Sequence, residues 1–268
     1  MVELIRTVHN QLGPKHFVIP DTQCKPGVDM SHLSWAGEYI LAKRPDVVVH
    51  LADHWDLPSL SIYDEKGSKQ FEGRRYKDDV DAGKMGMNLL LGPMKRFNER
   101  AKKNHEAQYH PRMVLLTGNH EDRITRAINR DPAHLDGIIS LDDLEREKDW
   151  EVVPFLQPIN IDGIVYCHYF CSGVMGRAIT RASTLLTKKH MSCIAGHQQG
   201  RDIAYGQRAD GKTITALIAG SFYQHEEEYL NSQTNNHWRG LYVLHEVNDG
   251  CFDEMPVSLE YLRMRYGR

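Results

Sequence analysis

Apolar residues in this chain fall in short β-branched runs, and each run stops abruptly at polar or glycine residues. His16-Phe17-Val18-Ile19 leads into Pro20-Asp21, and Val47-Val48-Val49-His50-Leu51 into Ala52-Asp53. Met113-Val114-Leu115-Leu116 leads into Thr117-Gly118-Asn119-His120. Ile164-Val165-Tyr166-Cys167 runs into His168, and Ser192-Cys193-Ile194-Ala195 into Gly196-His197. Runs this short, bounded this way, predict buried strands with polar residues just past their C-terminal ends. In open α/β sheets that edge is where ligands bind.

Helical spacing lies between the strands. Leu33, Gly37, Ile40 and Leu41 share one helix face, with Asp29 or Ser31 as the cap. Ala178, Ile179, Ala182, Leu185 and Leu186 share another, with Arg177, Arg181 and Lys188 aligned on the opposite face. Residues 57–110 are polar and charge-rich. They predict a helical insertion, helical over about 85–100 and broken or kinked at Gly92-Pro93, that covers the strand ends. After His197, strand patterns return over 213–219, 240–247 and 256–262. With no repeat, linker or low-complexity tract, residues 1–268 read as a single α/β domain.

Composition narrows the class. With 41% apolar and 26% charged residues the chain has the makings of a folded protein rather than a disordered one. A net charge of −3 gives no global attraction to nucleic acid or anionic lipid, so any phosphate-binding basicity is local. Fifteen histidines point towards metal chemistry. Five cysteines without a framework spacing suit a reduced cytoplasm, or the host cytoplasm if the gene is phage-borne. Cys167 and Cys171 flank His168, but no second pair exists to complete a zinc knuckle, so the thiols read as small core residues. Met1 to Arg6 contain no apolar run suited to a leader or membrane span, and no membrane partner is expected.

Five polar clusters follow the five strands: Asp21-Thr22-Gln23, Asp53-His54-Trp55-Asp56, Gly118-Asn119-His120-Glu121, His168, and Gly196-His197-Gln198-Gln199. One such cluster is ordinary loop chemistry. His168 alone, between apolar neighbours, would read as a core histidine. Five clusters at one sheet edge offer what a dinuclear site needs: a bridging carboxylate, terminal N and O ligands, and open positions for water and substrate. His54 neighbours Asp53, yet on extended backbone its side chain points away. Arg123, Arg126 and Arg130 follow at helical spacing, either as a phosphate clamp or as a solvated face.

The arrangement resembles the calcineurin-like metallophosphoesterase superfamily, whose motifs run D-x-H, G-D-x-x-D, G-N-H-[DE], H and G-H-x-H. The resemblance covers about residues 17–200, and the long 57–110 stretch with Gly220-Ser221-Phe222-Tyr223 and His237-Trp238-Arg239-Gly240 looks most like phage and prophage members. It implies two packed mixed β-sheets flanked by helices. It also implies two divalent metal ions: Mn²⁺ first, with Mg²⁺, Fe²⁺, Zn²⁺ or Ni²⁺ as alternatives. Carried over by position, Asp53 bridges, Asp21, Gln23 and Gln199 complete one metal site, and Asn119, His168 and His197 the other. His120 faces the substrate as catalytic acid, oriented by Asp56, and Arg123 is the candidate substrate-binding residue. His225, His237, Trp238 and Arg239 are candidates to line the pocket.

Three positions depart from the pattern. Ala52 replaces a glycine, a change expected to matter little. Gln23 and Gln199 replace histidines, which leaves the first site with oxygen donors only, a set suited to hard cations. The expected activity is hydrolysis of a phosphate ester, with a phosphodiester of nucleic acid or nucleotide foremost. The alternatives are a phosphomonoesterase, protein phosphatase included, or a non-catalytic metal-binding interaction module.

Overall fold

The five apolar runs become the inner strands of two facing sheets in a computed structural model that describes residues 13–62, 71–226 and 237–267. Strands β1 (His16–Ile19), β2 (Val47–His50), β3 (Arg112–Leu116) and β4 (Glu151–Val153) lie side by side and parallel. β5 (Ile159–Ile161) and β6 (Ile164–Cys167) open the second sheet, and β7 (Cys171–Ser172) and β8 (Arg177–Ala178) form a separate hairpin. β9 (Cys193–Ala195), β10 (Arg201–Gln207) and β11 (Thr213–Ala219) complete the second sheet, in the order β10-β11-β9-β6-β5. β12 (Gly240–Asn248) joins the first sheet antiparallel to β1, and β13 (Cys251–Ser258) pairs antiparallel to β12, giving β13-β12-β1-β2-β3-β4.

Alternation along each strand builds the layers. Val18, Val49 and Leu116 point inward to meet Tyr166, Ile194 and Leu217 of the second sheet. Phe17, Ile19 and Val48 point outward, against helices α1 (Ser31–Lys43) and α2 (Tyr76–Lys103). Two short helices, α3 (Arg123–Arg130) and α4 (Pro132–Leu135), follow β3. On the far side Cys193, Ala195 and Ala216 pack under Ala182 and Leu185 of α5 (Ala182–Lys189), and α6 (Leu259–Tyr266) adds Leu262 to the α1 side. The architecture is therefore α/β, with mixed sheets flanked by helices.

Three expected elements differ. Among the described residues of 57–110, a 3-10 turn at Pro58–Leu60 precedes α2, which runs through Gly92-Pro93 without interruption. The helix serves as the crossover joining parallel β2 and β3; its apolar face belongs to the main core, and its first half packs on the loops past the strand ends, where Trp55 Nε1 donates to the Val80 carbonyl at 3.3 Å. A proline inside a helix costs about 3 kcal/mol. Burial of Val80, Met87, Leu90 and Leu91 contributes about 1.5–3 kcal/mol each and outweighs it. Gly37 of α1 allows the close approach: a Cβ there would lie 2.3 Å from the Leu90 carbonyl oxygen and 2.9 Å from the Pro93 ring. Residues 256–262 leave strand β13 and enter α6, capped by the Ser258 hydroxyl, which accepts from the Tyr261 N–H at 3.1 Å. Finally, α5 starts at Ala182, so Arg177 belongs to β8 and the Arg177–Arg181–Lys188 line is not a helix stripe.

The five cysteines are unpaired, with Cys24, Cys167 and Cys193 buried. Among the described residues no helix is long and apolar enough to cross a membrane. The N-terminal stretch read above, Met1 to Arg6, lies outside the described residues.

Burial of His32 should make the fold acid-sensitive. His32 packs edge-on against Phe222 (5.1 Å between ring centroids), and burial lowers its pKa to about 3. A base depressed in the folded state contributes stability above its unfolded pKa of about 6.5, and that stability is lost as pH falls towards 3. His32 should therefore cost the fold about 2 kcal/mol between pH 7 and pH 5. Urea midpoints at the two pH values should differ less in His32→Leu than in the unmodified protein. Equal pH slopes would show that His32 stays uncharged in the unfolded chain too, or that it charges in the folded state.

Candidate metal centre

The C-terminal ends of β1, β2, β3, β6 and β9 open on one edge, where the sheets are pinned together by local bridges. Asp21 pairs with Ser221, just past β11, and the Phe222 N–H donates to the Asp21 carbonyl at 2.7 Å. On the other side of Asp21, the N–H groups of Thr22 and Gln23 donate to the Asp53 carbonyl at 3.2 and 2.8 Å. These contacts bring the loops after β1, β2 and β11 to one place.

The carboxylate of Asp53 is the hub. Its Oδ1 accepts the His120 backbone N–H at 3.0 Å, and its Oδ2 lies 3.4 Å from His168 Nε2 and 3.7 Å from His120 Nε2. Burial alone would raise the Asp53 pKa, but the imidazoles of His120 and His168 outweigh it and hold the carboxyl far below the usual range. Backbone strain aims it: Ala52 and Asp53 both have positive φ, at 79° and 39°. The left-handed region costs a residue with a Cβ about 1–2 kcal/mol. Alanine at position 52, expected from sequence to matter little, is therefore not neutral here. It stores strain directly before the hub.

Two glycines are fixed by the carboxylates. A Cβ on Gly118 would sit 2.1 Å from Asp53 Oδ1, and one on Gly196 would sit 2.5 Å from Asp21 Oδ1. The motif glycines make room for acid side chains contributed by other loops.

His168 Nδ1 donates to the Leu51 carbonyl at 2.8 Å, which turns Nε2 towards Asn119 Oδ1 (2.8 Å) and Asp53 Oδ2. Tethering one ring nitrogen to a backbone carbonyl is how proteins direct the other at a metal. Burial opposes a charge on His168, yet Asp53 and then Asp21 raise its pKa to about 9. His168 Nε2, Asn119 Oδ1 and Asp53 Oδ2 converge as cation ligands do. His197 stands next to His168, with ring centroids 5.2 Å apart. Burial, and then the charge of His168, lowers the His197 pKa to about 4. Candidate ligand atoms of Asp53, His168 and His197 all lie within 4.8 Å of one another.

Asp21 supplies a second indication. Its Oδ1 accepts the His197 N–H at 3.0 Å, whereas its Oδ2 is fully buried and has no hydrogen-bond partner. Burial, reinforced by Asp53, pushes its pKa up to about 7. A buried, unpartnered carboxylate oxygen beside a second carboxylate is costly unless a cation balances it. The donor set fits a metal.

Gln23 and Gln199 both flank this region with positive φ, 42° and 56°. Gln23 is buried. The Gln199 Oε1 accepts the Tyr223 hydroxyl at 2.6 Å, an arrangement nothing in the sequence signals. Tyr223 in turn stacks on His225 and lies 3.3 Å from His237 Nδ1. Arg239 donates to the carbonyls of Gln224 and His225, and Trp238 packs against Tyr242.

His120 sits on the other flank. Its Nδ1 donates to Asp56 Oδ1 at 2.8 Å, and its Nε2 looks towards Asp53 and lies 3.1 Å from an Arg123 nitrogen. Burial would lower its pKa, but Asp53 and Asp56 raise it overall. Burial would likewise raise Asp56, but the His120 hydrogen bond, with Lys25 and Arg123, lowers it to about 2. The Arg123 guanidinium also donates to the Asp56 carbonyl at 2.6 Å, so it is anchored beside His120. Arg123, Arg126 and Arg130 line one small recess with Leu60 and Ile62, and Arg126 pairs with Asp122 at 3.1 Å.

Glu121 has a structural part that sequence reading did not give it. Its carboxylate accepts the N–H groups of His54 (2.7 Å), Trp55 (3.0 Å) and Gly118 (2.9 Å), tying the two central loops together. His54 does point away from Asp53, bonding Thr22 Oγ1 (2.7 Å) and the Gly83 carbonyl (2.9 Å). The reason is the left-handed turn at 52–53, not extended backbone. No protein-family model matches the sequence, and no curated protein matches it either.

Proposed function

We propose that the protein is a metal-dependent phosphoesterase that hydrolyses a phosphodiester by direct attack of water. The observation that carries the proposal is the convergence of Asp53, His168 and His197 within 4.8 Å, beside the unpartnered Asp21 Oδ2. Asp53, Asn119, His168 and His197 would hold one divalent ion, and Asp21, Gln23, Asp53 and Gln199 the other. Such ions, when bound, neutralise phosphate oxygens and make a nearby water acidic enough to act as nucleophile at neutral pH.

The remaining work falls to protein groups. His120, with Nδ1 held by Asp56, presents Nε2 to the space around Asp53 and gives its proton to the departing alcohol oxygen. The Arg123 nitrogen beside that Nε2 is placed to bind a phosphate oxygen while its partner nitrogen stays on the Asp56 carbonyl. Leu51 keeps His168 in one orientation through its carbonyl.

Turnover of a bis-nitrophenyl diester and of a nitrophenyl monoester, each with Mn²⁺, tests the reading. The diester should turn over faster, and chelation should abolish both activities. Full diesterase activity in chelated protein assayed as metal-free would end the proposal. No turnover of either ester, with metal bound, would favour an interaction module.

The two metal sites should be unequal. Gln23 and Gln199 give one site oxygen donors alone, and the Tyr223 hydroxyl already occupies a lone pair of Gln199 Oε1. Neutral amides favour Mn²⁺ or Mg²⁺ over Zn²⁺. Calorimetric titration of chelated protein should show one tight and one weak Mn²⁺ equivalent. Placing histidine at both positions should tighten the weak one. Two equally tight equivalents, unchanged by the double substitution, would show that the glutamines do not ligate.

A further inference from the structure

Between His168 and His197 the chain carries charge of one sign only. No Asp or Glu occurs anywhere in residues 163–201, while Arg177, Arg181, Lys188 and Lys189 all fall there, in a chain whose net charge is −3. With Arg201 the segment holds five of the chain's 33 Lys and Arg residues, an ordinary density, so its positive sign comes from the absence of acids. The β7–β8 hairpin starts at Cys171, just beyond His168, and Arg177 pairs with Ser172 at its foot. Its turn is held by Gly173 and Gly176 at positive φ, 60° and 64°, and at its tip Val174 is fully exposed and Met175 is 75% exposed. Arg181 precedes α5, and Lys188 and Lys189 occupy its last turn. Arg177, Arg181 and Lys188 are exposed and form no ion pair with any described residue.

Scattered surface cations usually do nothing but stay hydrated. Here three features coincide: a stretch of sequence without acids, met in space by the Asp202 carboxylate on the Ala182 N–H (2.9 Å), an apolar tip braced by two glycines, and direct continuity with a candidate metal ligand. A nucleic-acid strand answers all three. Its phosphates pair with the cations, its bases accept an apolar wedge, and its phosphodiester is the bond at issue. An anionic membrane answers the charge, but two apolar side chains are too few to anchor a protein in it.

We propose that the β7–β8 hairpin and the basic residues at the two ends of α5 form a nucleic-acid docking surface, with Arg177, Arg181 and Lys188 on backbone phosphates and Val174-Met175 against the bases. The proposal deepens the phosphoesterase reading and rests on it for the substrate class. The test is fluorescence anisotropy of a labelled DNA duplex and its single strand with the full-length protein in chelator, across a salt series. The affinity should fall steeply with salt. The triple variant Arg177→Gln/Arg181→Gln/Lys188→Gln should bind at least tenfold more weakly and flatten the log–log salt slope by about 2–3, near 0.9 per lost duplex contact. Val174→Ser/Met175→Ser should weaken binding several-fold and leave the salt slope unchanged. Both variants should hydrolyse the bis-nitrophenyl diester as the unmodified protein does, because none of these residues is in the proposed catalytic set. Nucleic-acid binding with an unaltered slope in the triple variant would overturn the proposal. So would binding only to phosphatidylserine vesicles, or self-association that the tip variant abolishes. Absence of diester turnover alongside variant-sensitive DNA binding would instead sink the phosphoesterase reading and leave the docking surface standing.

Discussion

Asp53→Asn should lose metal at both proposed sites and reduce kcat/KM on the bis-nitrophenyl diester by at least about three orders of magnitude, or about 4 kcal/mol of transition-state stabilisation. The substitution is nearly isosteric, yet it removes the charge to which His120 and His168 are both turned. An amide must also choose which end faces the His120 N–H. With its oxygen there, its NH₂ group points at His168 Nε2, where a ligand oxygen is needed. Metal content after dialysis, measured beside kcat/KM, decides the point. A variant that keeps two equivalents of metal and near-normal turnover would remove Asp53 from the centre of the site.

His120→Ala should leave metal content unchanged and lower the rate on an alkyl-type phosphodiester by about a hundred- to ten-thousandfold, the usual worth of general acid–base assistance. The loss should be much smaller for a nitrophenyl ester, whose leaving group departs without a proton. The 2.8 Å bond from His120 Nδ1 to Asp56 adds a second arm. Asp56→Asn should impair the enzyme alone but cost nothing more in the His120→Ala background, because residues acting through one another are not additive. If His120→Ala strips the metal, or if the two substitutions add, His120 is a ligand or Asp56 acts independently.

These predictions use residues that the chain advertises. The five strands were legible because a strand buried on both faces must be apolar along its whole length, and because parallel strands end where polar loops begin. His16–Ile19, Val47–His50 and Ile164–Cys167 lie where their apolar runs predict. The residues converging at the sheet edge, Asp21, Asp53, Asn119, His120, His168 and His197, were legible for the same reason, since each sits next to a strand end. Gly118 and Gly196 were visible as motif letters. The need for them, a carboxylate oxygen inside the radius of a Cβ, belongs to packing.

What the sequence by itself determined was local: the strand runs, their polar endings, the α1 helix, and the companionship of acid, amide and imidazole groups. Tertiary structure decided whatever depends on groups far apart in the chain. The helix through Pro93 persists because its buried face contributes more than the proline costs, and because Gly37 admits it against α1. Residues 256–262 turn from strand to helix because α6 finds a place against Tyr39 and the α1 layer, which no local pattern encodes. Ala52 bears a strained φ because the Asp53 carbonyl must accept from Thr22 and Gln23, which lie 31 and 30 positions away in the chain. Gln199 reads in the sequence as a metal ligand, and the fold brings the Tyr223 hydroxyl to the same Oε1. A sequence displays what each residue can offer. Only the fold, by setting distances of 3 Å across gaps of more than a hundred residues, decides which offers meet.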